Sequence, residues 1–292
     1  MKRLIVTADD FGASLPVNEA IEQAHQNGIL TTASLMVGAA AASDAVKRAK
    51  RMPSLKVGLH VVLVCGRPLL PAAQIPDLVD EQGNFSTQLT RAGINYFFRP
   101  KIRQQLEAEI RAQFAAFNNS GLALDHVNAH NHMHVHPTVL NLILKVGREY
   151  GARAVRLPRE PFISSWRAAR NALPRRLVSS LLLSPWMSLM IWRLEKERTA
   201  HNDYIFGMND TGHMTEQLVL QLLAHLPHGV SEIYFHPALG KQDGMDPGMA
   251  GYSCEAEFRA LTSPAVATAL RQYDIQRVSF CDLTVQPTPR IA

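Results

Sequence analysis

The feature that most constrains this chain is a repeated pairing of a short apolar run with a stretch of helical periodicity. The runs are LIVTA (4–8), SLMV (34–37), KVGLHVVL (56–63), LDHVNAH (124–130), ARAVRL (152–157), SEIYF (231–235) and VSFC (278–281). The stretches between them carry helix punctuation: Pro16, Pro100 and Pro137 stand at helix starts, and Gly28, Gly121 and Gly151 at helix ends. Within one stretch, Ile102, Leu106, Ile110, Phe114 and Phe117 fall on a single face. Helical patterns also cover about 42–52, 214–226 and 255–272. Strands alternating with helices predict parallel βα units. About seven of them predict an α/β fold, a distorted or incomplete parallel (β/α) barrel, with an open doubly wound sheet as the alternative. No GxGxxG follows the first run, so a dinucleotide-binding fold has no positive support.

A chain of 292 residues with 47% hydrophobic content can fill such a barrel as one unit. We expect a single catalytic domain over 1–292, interrupted by irregular stretches at about 65–99 and 160–212. The second contains LVSSLLLSPWMSLMIW (177–192), which has no charge and two Trp and is flanked by Arg175, Arg176 and Arg193. It is too short to span a bilayer, and Pro185 is expected to break a helix there. It reads either as a pair of core-packed helices or as an apolar lid or interfacial hairpin that meets lipid. No stretch of 18 apolar residues occurs, so no spanning helix is expected. The opening MKRLIVTADDFG reads as a first strand rather than a signal peptide, and the three scattered cysteines, Cys65, Cys254 and Cys281, suit a reducing compartment. The expected location is cytoplasmic, with peripheral contact to the inner membrane face. The net charge of +5 comes with no basic-aromatic module, so nucleic acid is not an expected partner.

Polar groups gather where the apolar runs end. Asp9 and Asp10 follow LIVTA, His60 closes KVGLH, Asn128 and His130 close LDHVNAH, Arg156 lies near the end of ARAVRL, and His236 follows SEIYF. In a parallel barrel these ends open on one face, where active sites are built. Asp10, His60 and His130 supply one carboxylate and two imidazoles, a ligand set for one divalent ion. Zinc is the first expectation, with Mg, Mn, Co or Fe(II) as alternatives. Asp9 is then left to act as a base. Consecutive strand residues face opposite ways, so this pair shares a site only if the strand twists away, a departure we assign to Gly12. Of the five histidines between 126 and 136, not all can reach one ion, and the roles of His126, His134 and His136 stay open.

The motifs TADDFG (7–12), TTASLMV (31–37), VGLH (57–60), HVNAHNHMHVHP (126–137) and FHPA (235–238) resemble the YdjC-like carbohydrate deacetylase family. The resemblance implies a metal-dependent N-deacetylase on a distorted β/α barrel. It implies Asp10, His60 and His130 as metal ligands, Asp9 as base and His236 as the C-terminal histidine that assists the reaction. His236 is also the candidate acid for the leaving nitrogen. Asn128 departs from it, since many relatives carry Asp there. PDLVDEQGNF (76–85) and YFFRPKIRQQLEAEIRAQFAAF (96–117) are similar to a branch associated with hopanoid biosynthesis. That branch implies an N-acetylglucosaminyl lipid as substrate.

Arg156, with Arg159, is expected to orient the sugar or polarise the base. His132 and Phe11 are further substrate contacts, and a backbone N–H near Phe11 or Gly12 is a candidate oxyanion donor. Alternatives are a deacetylase of soluble chitooligosaccharides, a phosphoesterase, or a metal- or lipid-binding protein without turnover. A homodimer is compatible with any of them.

Overall fold

The computed structural model describes residues 1–240 and 249–283. Its strands are β1 (Lys2–Phe11), β2 (Thr32–Leu35), β3 (Lys56–Val61), β4 (Leu124–Ala129), β5 (Tyr204–Phe206), β6 (Gly229–Phe235) and β7 (Ile275–Val278). Every pairing between them is parallel, in the order β4-β3-β2-β1-β6-β5, with β7 beside the first half of β1. Around the sheet lie α1 (Leu15–Asn27), α2 (Ala42–Arg51), α3 (Leu89–Phe98), α4 (Pro100–Asn119), α5 (Pro137–Glu149), α6 (Phe162–Ala169), α7 (Leu173–Lys196), α8 (Glu216–Ala224), α9 (Cys254–Leu261) and α10 (Pro264–Gln272).

Strand β1 is the axis of the sheet. Residues Leu4 to Phe11 are all buried, as a strand covered on both faces must be. Its lower half pairs with β7 and its upper half with β2, while β6 runs along its other edge. The predicted incomplete barrel is what forms, but two of its expected staves differ. VSFC (278–281) meets β7 only at Val278, since Phe280–Asp282 is a 3-10 turn. The other, ARAVRL (152–157), builds no ladder. It makes only isolated parallel bridges, Val127 to Val155 and Ala154 to Ala200, which carry the sheet from β4 toward residue 200. The strand β5 lies instead inside the stretch read as irregular, where three residues (YIF) give too short a run to stand out.

The other irregular stretch owes its shape to α4. Beside the expected apolar face of that helix, Gln105, Glu109 and Gln113 form a buried polar stripe at helical spacing. Gln113 pairs with both backbone groups of Val62, Glu109 accepts the N–H groups of Leu69 and Leu70, and Gln105 accepts that of Asp77. Side chains thus do for this loop what a neighbouring strand would do.

The 177–192 stretch is a correction. It forms neither a core-packed pair nor a hairpin, but one helix, α7, that runs through Pro185. Pro185 removes one donor and leaves the carbonyl of Leu181 without its helical partner. Both residues are exposed, so water can satisfy that carbonyl. At 24 residues α7 is long and apolar enough to cross a membrane by length and composition, against the expectation that no helix would be.

Candidate active site

The strand ends converge as the topology requires, but the feature that makes Asp9 and Asp10 share a site is Asp10 itself. Its φ is +62°, and the pairing of β1 with β2 slips between Ala8 and Phe11. A left-handed residue in a strand reverses the alternation locally, so both carboxylates reach His60. Gly12, at φ +98°, follows as the second step of the turn, and a Cβ there would sit 3.1 Å from the Met36 carbonyl oxygen.

Asp10 Oδ1 lies 3.3 Å from His60 Nε2 and 3.2 Å from His130 Nδ1, and the two nitrogens are 3.3 Å apart. All three residues are buried, and together they can hold a metal ion. Neither oxygen of the buried Asp10 carboxylate has a hydrogen-bond partner among the described residues, an arrangement that costs free energy unless a cation compensates it. A tetrahedral site with bonds of about 2.0–2.1 Å has edges of about 3.3–3.4 Å, so the triangle fits an ion of that size.

The surrounding bonds point the same way. Asn128 Nδ2 donates to Asp9 Oδ1 at 3.1 Å and to Ser34 Oγ at 2.9 Å, which leaves Asn128 Oδ1 as the acceptor for His60 Nδ1 at 2.7 Å. With its proton on Nδ1, His60 turns the lone pair of Nε2 toward Asp10 and His130. The amide of Asn128 therefore bridges a metal-ligand candidate to the candidate base, which the carboxylate of an Asp at this position could not do as a donor to Asp9.

Asp9 is gripped on both oxygens by Arg156, at 2.6 and 2.9 Å. Arg156 is fully buried, and its other edge holds Glu232 at 2.7 to 3.1 Å. Thr7 completes this cluster by donating to Glu232 at 2.6 Å. Burial pushes the Asp9 carboxyl up, but Arg156, His60 and His236 outweigh it and hold Asp9 well below the usual carboxylate range.

Of the two roles expected for Arg156, orienting the sugar or polarising the base, its geometry fits the second: the buried guanidinium is closed on the carboxylates of Asp9 and Glu232. Among the expected substrate contacts, Phe11 is corrected: its ring is fully buried in the core. The N–H of Gly12 is no oxyanion donor, because Asn18 Oδ1 takes it at 2.8 Å. Arg159 donates to the Asp203 carbonyl and lies over the Tyr204 ring. His132 does line a cleft, where its Nε2 meets the Tyr234 hydroxyl at 3.1 Å.

The histidine run loses its alternation at Ala129, where a 3-10 turn (His130–Val135) begins with Asn131 and His132 in left-handed conformations. Of its five histidines only His130 joins the triad. His126 is buried between Ser34 and Asp125, His134 accepts the Ala129 N–H, and His136 packs on Tyr96 and Phe97.

His236 directly follows β6 and borders two clefts that also share Asp9 and His130. The larger, about 430 Å³, has apolar walls that include Val17, Met36, Ala39, Val62 and Leu69. The smaller, about 170 Å³, is lined by His132, Tyr234, Tyr252 and Thr211. The buried Glu257 accepts the backbone N–H groups of His236 and Met214.

Glu232, Glu257, Ser34 and Thr7 escape the sequence reading. The available signal for Glu232 is a lone acid inside the apolar run SEIYF.

Residues 3–272 match the model of the family described as YdjC-like protein. A Brevibacillus brevis protein named carbohydrate deacetylase is 32% identical over 282 residues, 96% of this chain and 99% of its own length. A Vibrio vulnificus protein of the same name is 29% identical over 288 residues, 98% of each chain. Among solved structures, an Enterococcus faecalis protein described as a cellobiose-phosphate cleavage protein matches with a TM-score of 0.73 at 25% identity, over 97% of this chain and 99% of its own.

Proposed function

The chain belongs to the YdjC-like family, and on that premise we propose that it is a carbohydrate deacetylase, hydrolysing an N-acetylated sugar to a free amine and acetate. The observation that carries this reading is the carboxylate of Asp9 fixed beside the three-donor triangle of Asp10, His60 and His130. A divalent ion held by those three would polarise the acetyl carbonyl and acidify water at neutral pH.

The chain's own residues do the rest. Asp9 accepts the proton of the attacking water, and its low pKa keeps it ionised throughout the working pH range. Arg156 and Glu232 hold it in one orientation, so Arg156 positions the base rather than the sugar. His236, across the same clefts, donates the proton that nitrogen needs in order to leave.

We assign the sugar as the N-acetylglucosaminyl headgroup of a hopanoid-type lipid. The apolar walls of the larger cleft support this, because they offer a hydrocarbon aglycone a place beside Asp9 and Asp10. The same reading puts the protein in the cytoplasm, peripheral to the inner membrane face, a compartment that the scattered spacing of Cys65, Cys254 and Cys281 suits. A second reading, a soluble chitooligosaccharide, draws on the smaller cleft, which His132, Thr211, Tyr234 and Tyr252 line with polar groups.

Acetate release from a GlcNAc-bearing hopanoid and from chitobiose, both in detergent with metal-loaded protein, separates the two. Faster release from the lipid is expected. Release from chitobiose alone would discard the lipid assignment and keep the chemistry, and release from neither would overturn the deacetylase reading for these substrates.

A further inference from the structure

Helix α7 places its hydrocarbon on the wrong side for a protein surrounded by water. Arg176, Met187, Met190 and Leu194 face the body of the protein and are buried. At 3.6 residues per turn, Leu177, Val178, Leu181, Leu182, Leu189 and Trp192 fall on the opposite side. All six are exposed, Leu181 at 65% and Leu182 at 70%. An amphipathic surface helix normally turns such a stripe inward.

Charge accompanies the stripe. Residues 161–194 contain five arginines and no Asp or Glu. Arg167, Arg170 and Arg175 are exposed near the N-terminal end of α7, which carries the positive charge; at the C-terminal end the exposed Lys196 stands between the half-buried Glu195 and Glu197. Two exposed Trp, Trp186 and Trp192, suit the level of lipid headgroups.

The helix is also tied down. Arg176 donates to Ser165 at 2.6 Å, to Asn171 Oδ1 at 2.7 Å and to Asp210 at 2.5 Å, all within the body of the protein. Crossing a bilayer would strip this guanidinium of its partners and carry it into hydrocarbon. Lying flat keeps every one of those bonds. Beneath α7 runs a groove of about 410 Å³, and Met208 lines both this groove and the smaller cleft that holds Asp9 and His130.

We propose that the solvent-facing stripe of α7 is a docking surface for an anionic phospholipid bilayer. The helix lies in the headgroup plane, with its leucines in the acyl boundary and its flanking arginines on lipid phosphates. This gives the peripheral placement proposed above a named surface and rests on that reading for its purpose. Docking would bring the clefts around Asp9 to the membrane, where a lipid-linked sugar would be held.

All three tryptophans of the chain, Trp166, Trp186 and Trp192, lie in α6 and α7, so tryptophan emission reports on this region alone. The test is full-length protein with vesicles of phosphatidylcholine, with and without phosphatidylglycerol. Vesicles containing phosphatidylglycerol are expected to sediment the protein and shift its emission to the blue. Leu181→Glu with Leu182→Glu, both at exposed positions, is expected to weaken binding at least ~100-fold. Arg167→Gln with Arg175→Gln is expected to weaken it by about fivefold per arginine. The far-ultraviolet circular dichroism and urea midpoint of the leucine variant should match wild type, which shows that it is folded.

Three results would overturn the proposal. They are wild type failing to bind the anionic vesicles, the leucine variant binding them as wild type does, and a wild-type dimer that this variant dissolves, which would assign the stripe to a second copy. Vesicle binding is read without substrate, so its failure leaves the deacetylase reading untouched.

Discussion

At the strand ends the protein buries Asp9, Arg156 and Glu232 away from water, whereas along α7 it holds Leu181, Leu182 and Trp192 out in it. Both regions invert the usual distribution of polar and apolar groups. They differ in how the inversion is compensated. Arg156 closes on two carboxylates and Thr7 adds a further bond, so the buried charges are partnered within the protein. Leu181 and Leu182, exposed on α7, have no such compensation among the described residues. Inverted polarity that is balanced internally belongs to a site where geometry must not move. Inverted polarity left open belongs to a surface that meets something else.

Substitutions that break this contrast rank by how completely each group's compensation lies inside the protein. His60→Ala, Asp10→Ala or His130→Ala should give the largest effect, loss of bound metal together with loss of all measurable acetate release, read by metal analysis and by assay. Asp9→Asn should keep one metal per chain and lose ~10²–10⁴-fold in turnover, the range for a general base. If Asp9→Asn instead lost the metal while Asp10→Asn kept it, the roles within the pair are exchanged. Arg156→Met leaves Asp9 and Glu232 as unpaired buried charges and should cost about 3–5 kcal/mol in denaturant-unfolding stability.

A smaller effect concerns pH. Burial, then His132 and Arg156, hold the fully buried His134 well below the usual imidazole range. The folded protein keeps it neutral, while the unfolded chain takes up a proton below about pH 6.5. The unfolded state therefore binds more protons in acid, and stability falls as pH drops below that value. Between pH 6.5 and 5 the loss from His134 should be at most about 1.6 kcal/mol, measured as the urea midpoint with and without His134→Gln. Leu182→Glu sits at the other extreme. It should change unfolding stability by no more than about 0.5 kcal/mol, because no contact inside the fold depends on it.

The sequence shows the barrel because hydrophobic period and helix punctuation are local signals, and both survive in β1, β3, β4 and β6. It shows Asp10, His60 and His130 because parallel strands make chain order into spatial order: whatever ends a strand lies on one face. It hides what depends on pairs distant in the chain. Nothing near Arg156 announces that Glu232 closes it, so a buried positioning residue reads like a substrate contact. The left-handed turn at Asp10 is hidden for a related reason, since the neighbouring Gly12 is the residue that sequence reasoning credits with such geometry. For α7, composition reveals an apolar helix but not which side of it faces the protein. The exposed stripe and the uninterrupted passage through Pro185 emerge only in three dimensions.

The central claim is that Asp9 acts beside an ion held by Asp10, His60 and His130. It is tested most directly by acetate release from an N-acetylated sugar as chelator-stripped protein is titrated with zinc, cobalt or manganese. The expected result is no release at zero metal, a rise that saturates at one ion per chain with at least one of these ions, and no rise in His60→Ala. Full release from the stripped protein, or an undiminished rise in His60→Ala, would contradict it.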